Sequence, residues 1–307
     1  MQKTLTFYTL ILAGLLTVAV FGSYTKEEKL SQIDNSSKAT LSQRVESITL
    51  SKSFSFANEN IPTHIPDIRE RLEREILRNA YYHSSTIMNL KRSTRFFPEI
   101  ERILQEEGLP LDFKFLAVAE SDLTNATSPV GAKGMWQFLR ATGKEYGLEV
   151  NNDIDERMHF EKSTRAACKY LKRLHKRFGS WTMAAAAYNM GGSRLKKESS
   201  AQKSENYFDL NLNQETSRYV FRIAALKEIL TNPETYGYFL NVEDYYQPLN
   251  DFSVVEQNTT VDNLGAFAEK YGISYRQLKI YNPWMKSSRL PNASGKLYKI
   301  KIPNSKF

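Results

Sequence analysis

The sequence predicts a mainly α protein, a helical domain followed by a small β-α-α-β unit. Three observations predict it. Apolar residues recur at three- and four-residue spacing from Ile65 to Leu230. Pro and Gly punctuate the ends of those stretches, as at Pro98, Gly108, Pro110 and Gly179. After Pro248 the period shortens, and Leu297-Tyr298-Lys299-Ile300-Lys301-Ile302 alternates as a strand does. A chain of 307 residues has room for two domains and a leader, and 41% hydrophobic residues exclude general disorder.

The elements follow in order. Lys3 and the apolar run from Leu5 to Phe21 read as an export signal over residues 1–24. The run is nearly long enough to span a bilayer, so an uncleaved segment would attach the protein to the membrane. The protein is therefore expected to be exported, in the periplasm or cell envelope. No cysteine follows the run, which excludes a lipoprotein anchor. Residues 25–60 are polar, without a sustained apolar period, and read as a tether. Residues 61–245 form the helical domain. Ile68, Leu72 and Ile76 lie on one face, and Pro98 opens a helix carrying Ile100, Ile103 and Leu104. The next helix carries Phe113, Leu116, Ala117 and Glu120 at helical spacing, and another starts near Met135. A helix from Phe160 to Phe178 stops at Gly179, Ser180 caps one with Trp181, Ala184, Ala185 and Tyr188, and a last one covers Gln214 to Leu230. Residues 251–304 hold strands near Phe252 and Leu297 around helices at Leu264–Tyr271 and Tyr275–Tyr281, a module read as separable from the domain before it.

The net charge of +8 suits an acidic polymer. The absence of an arginine-rich tract or nucleic-acid signature, and the export signal, argue against nucleic acid. The four histidines and Cys168 show no ligand spacing, so no metal is expected, and no phosphate or dinucleotide fingerprint calls for a cofactor. Cys168, among Ala166, Ala167 and Leu171, reads as core.

Glu120 carries the chemistry. It sits on the apolar face of its helix and at the negative end of the helix dipole, and both effects favour the protonated form. A carboxylic acid held neutral near pH 7 can protonate a glycosidic oxygen. A lone Glu in such a place is more often a rim residue or the partner of an arginine.

The surroundings change that balance. Glu120-Ser121, Gly134-Met135-Trp136-Gln137, Ala187-Tyr188-Asn189 and Gln214-Glu215-Thr216-Ser217-Arg218-Tyr219-Val220 occur in this order. Together they resemble the lytic transglycosylases of the goose-lysozyme-like family, most closely the membrane-bound murein transglycosylase D type, over roughly Phe96 to Leu230. The resemblance implies a lysozyme-like helical catalytic domain that cleaves the MurNAc–GlcNAc β-1,4 bond of peptidoglycan. Glu120 would protonate the leaving oxygen and then take the proton of the C6 hydroxyl of the same sugar, leaving a 1,6-anhydromuramyl end. Ser121, Gln137 and Asn189 would contact the sugars, Tyr188 would donate to Glu120, and Met135 and Tyr219 would line the cleft. Met135, Trp136 and Tyr219 read equally well as ordinary core. Ordinary glycosidases use two carboxylates. Asp122 points away on a helix, and Asp153 and Asp155 lie in a loop that the sequence does not place; the resemblance removes the difficulty, since attack by the sugar's own C6 hydroxyl needs no second carboxylate. A hydrolytic lysozyme or chitinase, and an inactive wall-binding scaffold, stay open as alternatives.

Residues 251–304 resemble a LysM module through Leu264, Phe267, Ala268, Tyr271-Gly272-Ile273-Ser274, Leu278, Asn282-Pro283 and Ile302-Pro303. The resemblance implies glycan binding, with Tyr271, Asn282 and Trp284 as candidate contacts. The usual Gly-Asp turn is replaced by Gln257-Asn258-Thr259-Thr260, which leaves a packing role open for the module.

Overall fold

The computed structural model describes residues 47–50 and 52–305. The expected export signal and most of the expected tether lie outside the described residues. Among the described residues no helix is long and apolar enough to cross a membrane.

The end of the expected tether is folded. Strands β1 (Phe54–Phe56) and β2 (Glu59–Ile61) pair antiparallel, with Phe54 opposite Ile61. Phe54, Phe56, Ala57 and Ile61 are buried in the main core, so the domain begins before residue 61. Polar bonds fix the hairpin from both sides. Asp112 Oδ2 accepts the Ala57 amide at 2.7 Å, and Glu59 accepts from the Thr182 amide at 2.9 Å and its hydroxyl at 2.8 Å. A composition rich in Ser and Asn hid three buried apolar side chains.

Helix α1 (Pro66–Ala80) starts at a proline and buries Ile68, Leu72 and Ile76. Helix α2 (His83–Glu106) contains Pro98 inside it instead of beginning there. A proline suits a first helical turn but is tolerated within a helix whose packing compensates. Here Leu90, Ile100, Ile103 and Leu104 bury one face across the proline. Helix α3 (Phe113–Ser121) presents Phe113, Phe115, Leu116 and Ala117 to the core. No helix starts at Met135. Residues there form a turn bridged Lys133–Phe138, and the short α4 begins later (Arg140–Glu145).

Helices α5 (Phe160–Phe178) and α6 (Trp181–Met190) follow as expected, with Gly179 left-handed at φ 75° and the Ser180 hydroxyl accepting the Met183 amide. A further helix, α7 (Gly192–Gln202), buries only Leu195 and Ser199 and so leaves a weak apolar signal. Helix α8 (Gln214–Thr231) runs through the core and packs against α1, α3 and α6. Its Arg218 grips fully buried Glu75 of α1 at 2.6 Å, with Arg74 at 3.4 Å.

The second core belongs to the C-terminal unit. Strands β3 (Phe252–Gln257) and β4 (Tyr298–Pro303) pair antiparallel around α9 (Leu264–Lys270) and α10 (Tyr275–Tyr281). The unit is not a loose appendage. Ile154 of the helical domain is a buried member of its core and bridges Met285. The Asp155 amide donates to Trp284 O at 2.8 Å, and the Lys286 amide to Asp153 O at 2.7 Å. Lys296 pairs with Glu149 at 2.5 Å, and Lys301 pairs with Glu161. The segment 149–161 is thus shared by both domains.

Candidate active site

Glu120 sits one residue from the end of α3, in a strained turn. Asp122 and Leu123 are both left-handed, at φ 51° and 56°. Non-glycine residues adopt this region at a cost and hold it only when neighbours enforce it. Asp122 is held by Asn89 Nδ2 at 2.8 Å and Ser85 at 3.1 Å, and buried Leu123 packs in the core. The turn directs Asp122 towards α2 and away from Glu120.

Tyr219 of α8 donates its phenol to Glu120 Oε1. Burial pushes the Glu120 carboxyl up to about 7, against the opposing pull of the Tyr219 hydrogen bond and the Arg222 charge; Glu215 adds a small upward push. Arg222 is tied to Glu215 at 3.0 Å and lies over the Tyr219 ring. The result is a carboxyl that exchanges its proton near neutrality beside a fully buried phenol.

The expected donor was Tyr188, and that expectation is corrected. The Tyr188 hydroxyl donates to the Trp136 carbonyl at 2.6 Å. Both tyrosines lie on apolar helix faces, and helical period does not say which one meets Glu120. Tyr188 instead ties α6 to the 134–138 turn. Its ring packs on Tyr170 and Phe138.

The other expected contacts are turned inward. The Ser121 hydroxyl is buried and donates to Met135 O at 2.9 Å and Ala117 O at 3.2 Å. Gln137 has φ 48°, and its Nε2 donates to Gly134 O at 2.8 Å and Ala126 O at 3.1 Å. Asn189 Oδ1 accepts from Thr216 at 2.8 Å. Met135 is buried, and Trp136 is fully buried with its indole N–H on Thr164 at 2.9 Å. These residues build the loop facing Glu120 and do not project freely from it. Among the described residues, Gln137 Oε1 and Asn189 Nδ2 make no hydrogen bond to protein, while the other amide atom of each is engaged.

The loop rests on a residue pair that sequence reading left unplaced. Buried Arg157 forks onto Asp155 at 2.8 and 2.7 Å and donates to Gly131 O and Phe138 O, each at 3.0 Å. Gly134, at φ 81°, passes so close that a Cβ there would lie 1.9 Å from Arg157 O. Only glycine fits. Asp155 therefore holds the loop through Arg157. Arg157, Thr164 and Arg222 were missed because charge and hydroxyl positions carry no period. Their proximity to the quoted motifs was the one available signal.

A polar cavity of about 320 Å³ lies beside the end of α3, lined by Arg78, Tyr82, Ser85, Asp122, Glu215 and Arg222 among others. A larger one of about 530 Å³ lies at the domain junction, and Glu120 lines neither. Among the described residues no three His, Cys, Asp or Glu side chains gather into a metal-sized group. Burial pushes the Cys168 thiol up to about 12, an inert core group.

Two family matches fall on these two cores. Residues 99–211 match the Transglycosylase SLT domain, and residues 253–306 match the Soluble lytic transglycosylase C-terminal LysM-like domain. This chain carries an SLT domain joined to a LysM-like domain. Membrane-bound lytic murein transglycosylase D of Escherichia coli K12 is 32% identical over 259 residues, covering 81% of this chain and 55% of the relative. Membrane-bound lytic murein transglycosylase F of Yersinia pestis is 28% identical over 150 residues, 44% of this chain and 29% of the relative. The chain thus spans about half the length of the first of these relatives. A solved lytic transglycosylase Slt from Pseudomonas aeruginosa aligns at TM-score 0.35 and 19% identity over 49% of this chain and 26% of that one. Glu120, Ser121, Gln137, Tyr188 and Asn189 all fall within the SLT match, whereas Tyr219, which bonds Glu120, falls after its end.

The LysM-like domain corrects two expected contacts. Asn282 is fully buried; its amide donates to Leu278 O and Lys301 O and accepts the Lys301 amide. Trp284 is 3% exposed, stacked between His159 and Tyr298. Both hold the small core and its contact with the SLT domain, because a fold this size needs large side chains inside. Tyr271 is half-buried, packed against Phe267 with Lys270 Nζ over its ring.

Proposed function

We propose that this protein is a peptidoglycan lytic transglycosylase that cleaves the MurNAc–GlcNAc bond with Glu120 as its single acid/base. The observation that carries the reading is the Glu120–Tyr219 pair, a carboxyl poised near pH 7 within an SLT domain. Protonated Glu120 gives its proton to the glycosidic oxygen as the C1–O bond breaks. The carboxylate then stabilises the oxocarbenium-like centre and removes the proton of the C6 hydroxyl, which closes on C1. One residue gives a proton to the leaving oxygen and recovers another from the C6 hydroxyl, and no water is consumed. The free amide atoms of Gln137 and Asn189 are suited to N-acetyl or hydroxyl groups of the strand. Asp122 and Asp155 are engaged with α2 and with Arg157.

The relatives' names include "membrane-bound". That supports action in the cell envelope, with residues 1–24 as signal or anchor and peptidoglycan as partner. Tyr271 is the LysM-like residue left to meet glycan. Mass spectrometry of digested peptidoglycan tests the reading: the muramyl ends should be one water lighter than hydrolysis products. Hydrated reducing ends would sink it.

A further inference from the structure

The polar cavity at the end of α3 is built by four helices. Arg78 and Asn79 come from the end of α1, and Tyr82 and Ser85 from the start of α2. Ala119 and Asp122 lie on either side of Glu120 and Ser121, and Glu215 and Arg222 of α8 lie on either side of Tyr219. The volume of about 320 Å³ is at the lower end of small-ligand sites. A molecule held here lies next to the turn that carries the reacting carboxyl.

The charges of the lining balance. Arg78, Arg218 and Arg222 stand against Glu75, Asp122 and Glu215. Arg218 holds Glu75 at 2.6 Å, Asn89 holds Asp122 at 2.8 Å, and Arg222 holds Glu215 at 3.0 Å. With no excess of either sign, the cavity favours a neutral ligand rich in polar groups over an ion. Three groups of its rim stay open. Tyr82 is 62% exposed, and among the described residues its side chain makes no hydrogen bond and no ring contact, whereas the next residue, His83, packs edge-on to Tyr238. Arg78 makes no ion pair among the described residues. Asn79 Nδ2 donates to Glu75 O at 2.7 Å, which leaves its Oδ1 as an acceptor. A pyranose has a face of C–H groups that suits the electron-rich face of an aromatic ring, and an edge of hydroxyl and N-acetyl groups that needs donors and acceptors. An exposed tyrosine beside an open guanidinium and an open amide oxygen supplies both.

Resting on the glycan-strand reading above, we propose that Tyr82, Arg78 and Asn79 make this cavity a distal sugar subsite, in which Tyr82 stacks on an N-acetylhexosamine ring of the strand and Arg78 and Asn79 take its polar edge. All three residues precede residue 99, where the SLT match begins. The end of α1 and the start of α2 thus extend the cleft beyond the matched domain. Strand length thereby enters the specificity: a strand long enough to reach Tyr82 is held at two places, and a short one at Glu120 alone.

The test measures binding apart from cleavage. Full-length Glu120→Gln protein is titrated calorimetrically with the β-1,4-linked hexamer of N-acetylglucosamine, which carries no peptide and no charge. The hexamer should bind, and Tyr82→Ala in the same background should weaken it about five-fold or more. Tyr82→Trp keeps a flat ring and should retain the affinity. Arg78→Gln should weaken binding about two- to five-fold. Inorganic phosphate in large excess should leave the hexamer affinity unchanged. The exposure of Tyr82 means that its removal leaves the core intact, so a change in affinity reports on the rim. Absence of hexamer binding overturns the proposal, as does unchanged affinity in Tyr82→Ala, an equal loss in Tyr82→Ala and Tyr82→Trp, or displacement of the hexamer by phosphate. The mass of the digest, measured with Glu120 intact, tests the reaction separately, so the two results stand or fall alone.

Discussion

Tyr219 donates its phenol to the Glu120 carboxyl across 99 residues of sequence, from the middle of α8 to the end of α3. The two helices pack directly, and the bond sits where α3 breaks into its left-handed turn. It opposes the burial that raises the Glu120 pKa. The pair therefore sets the pH range over which the carboxyl can both give and take a proton.

Removal of that phenol should be read in a pH–rate profile. The reaction begins with protonated Glu120, so the rate falls as pH rises through about 7. The phenol favours the charged form; without it the carboxyl holds its proton longer. Tyr219→Phe should move the alkaline limb to higher pH and lower the maximal rate. Tyr188→Phe loses a bond to Trp136 O instead and should leave the limb in place. The opposite pattern would return the donor role to Tyr188.

Glu120→Gln should remove activity and alter stability in a pH-dependent way. The folded-state pKa of Glu120, about 7, is raised above its unfolded value. The native state thus binds the extra proton between the two, and stability falls as pH climbs through that window. Gln carries no such burden. The variant should match the parent near pH 4 and exceed it by about 1–3 kcal/mol at pH 8. Denaturant melts at the two pH values check this, and a uniform offset at both would show that the carboxyl is not perturbed.

Gly134→Ala should be severe. The new Cβ would meet the Arg157 carbonyl at 1.9 Å, and the backbone is left-handed. Arg157 cannot yield, because it is buried and anchored to Asp155, Gly131 and Phe138. A loss of about 3 kcal/mol or more is expected, with falling activity as the 131–138 loop shifts. Gly131→Ala, also left-handed but with open space around it, should cost about 1 kcal/mol. Equal thermal shifts in the two variants would count against the Arg157 contact.

What the residues disclosed in advance follows their physics. The helix Phe160–Phe178 was legible, because Ala167, Leu171 and Leu174 mark one face and Gly179 stops it. Glu120 stood out because a carboxylate on an apolar face is anomalous. Its partner was not legible, since Tyr188 and Tyr219 are equivalent in period and differ only in which helix faces α3. Pro98 reads the same at a helix start and within a helix, and packing across Leu90 and Ile100 decides between them. Asn282 and Trp284 resemble ligand-facing groups in sequence. In the structure the asparagine replaces missing backbone bonds between α10 and β4, and the indole fills a small core.

The last expectation concerns the domain boundary. Composition shifts after Pro248, so sequence reasoning treats the LysM-like unit as separable, with truncation before Asp251 leaving a folded domain. The interface argues otherwise. Ile154 is 1% exposed only because the second core surrounds it. Truncation would expose it at a cost of about 1.5–3 kcal/mol. It would also strip the Asp155 amide of Trp284 O and Glu161 of Lys301. Those losses fall on the segment whose Asp155–Arg157 pair supports the active-site loop. The truncated protein should therefore melt earlier and lose activity against soluble strands as well as whole sacculi. Ile154→Asp in the full chain should reproduce part of the effect by placing a charge in the joint core. Thermal melts and turnover on soluble strands decide it. An unchanged melting temperature with full turnover after truncation would mean that the two domains, though docked, work independently.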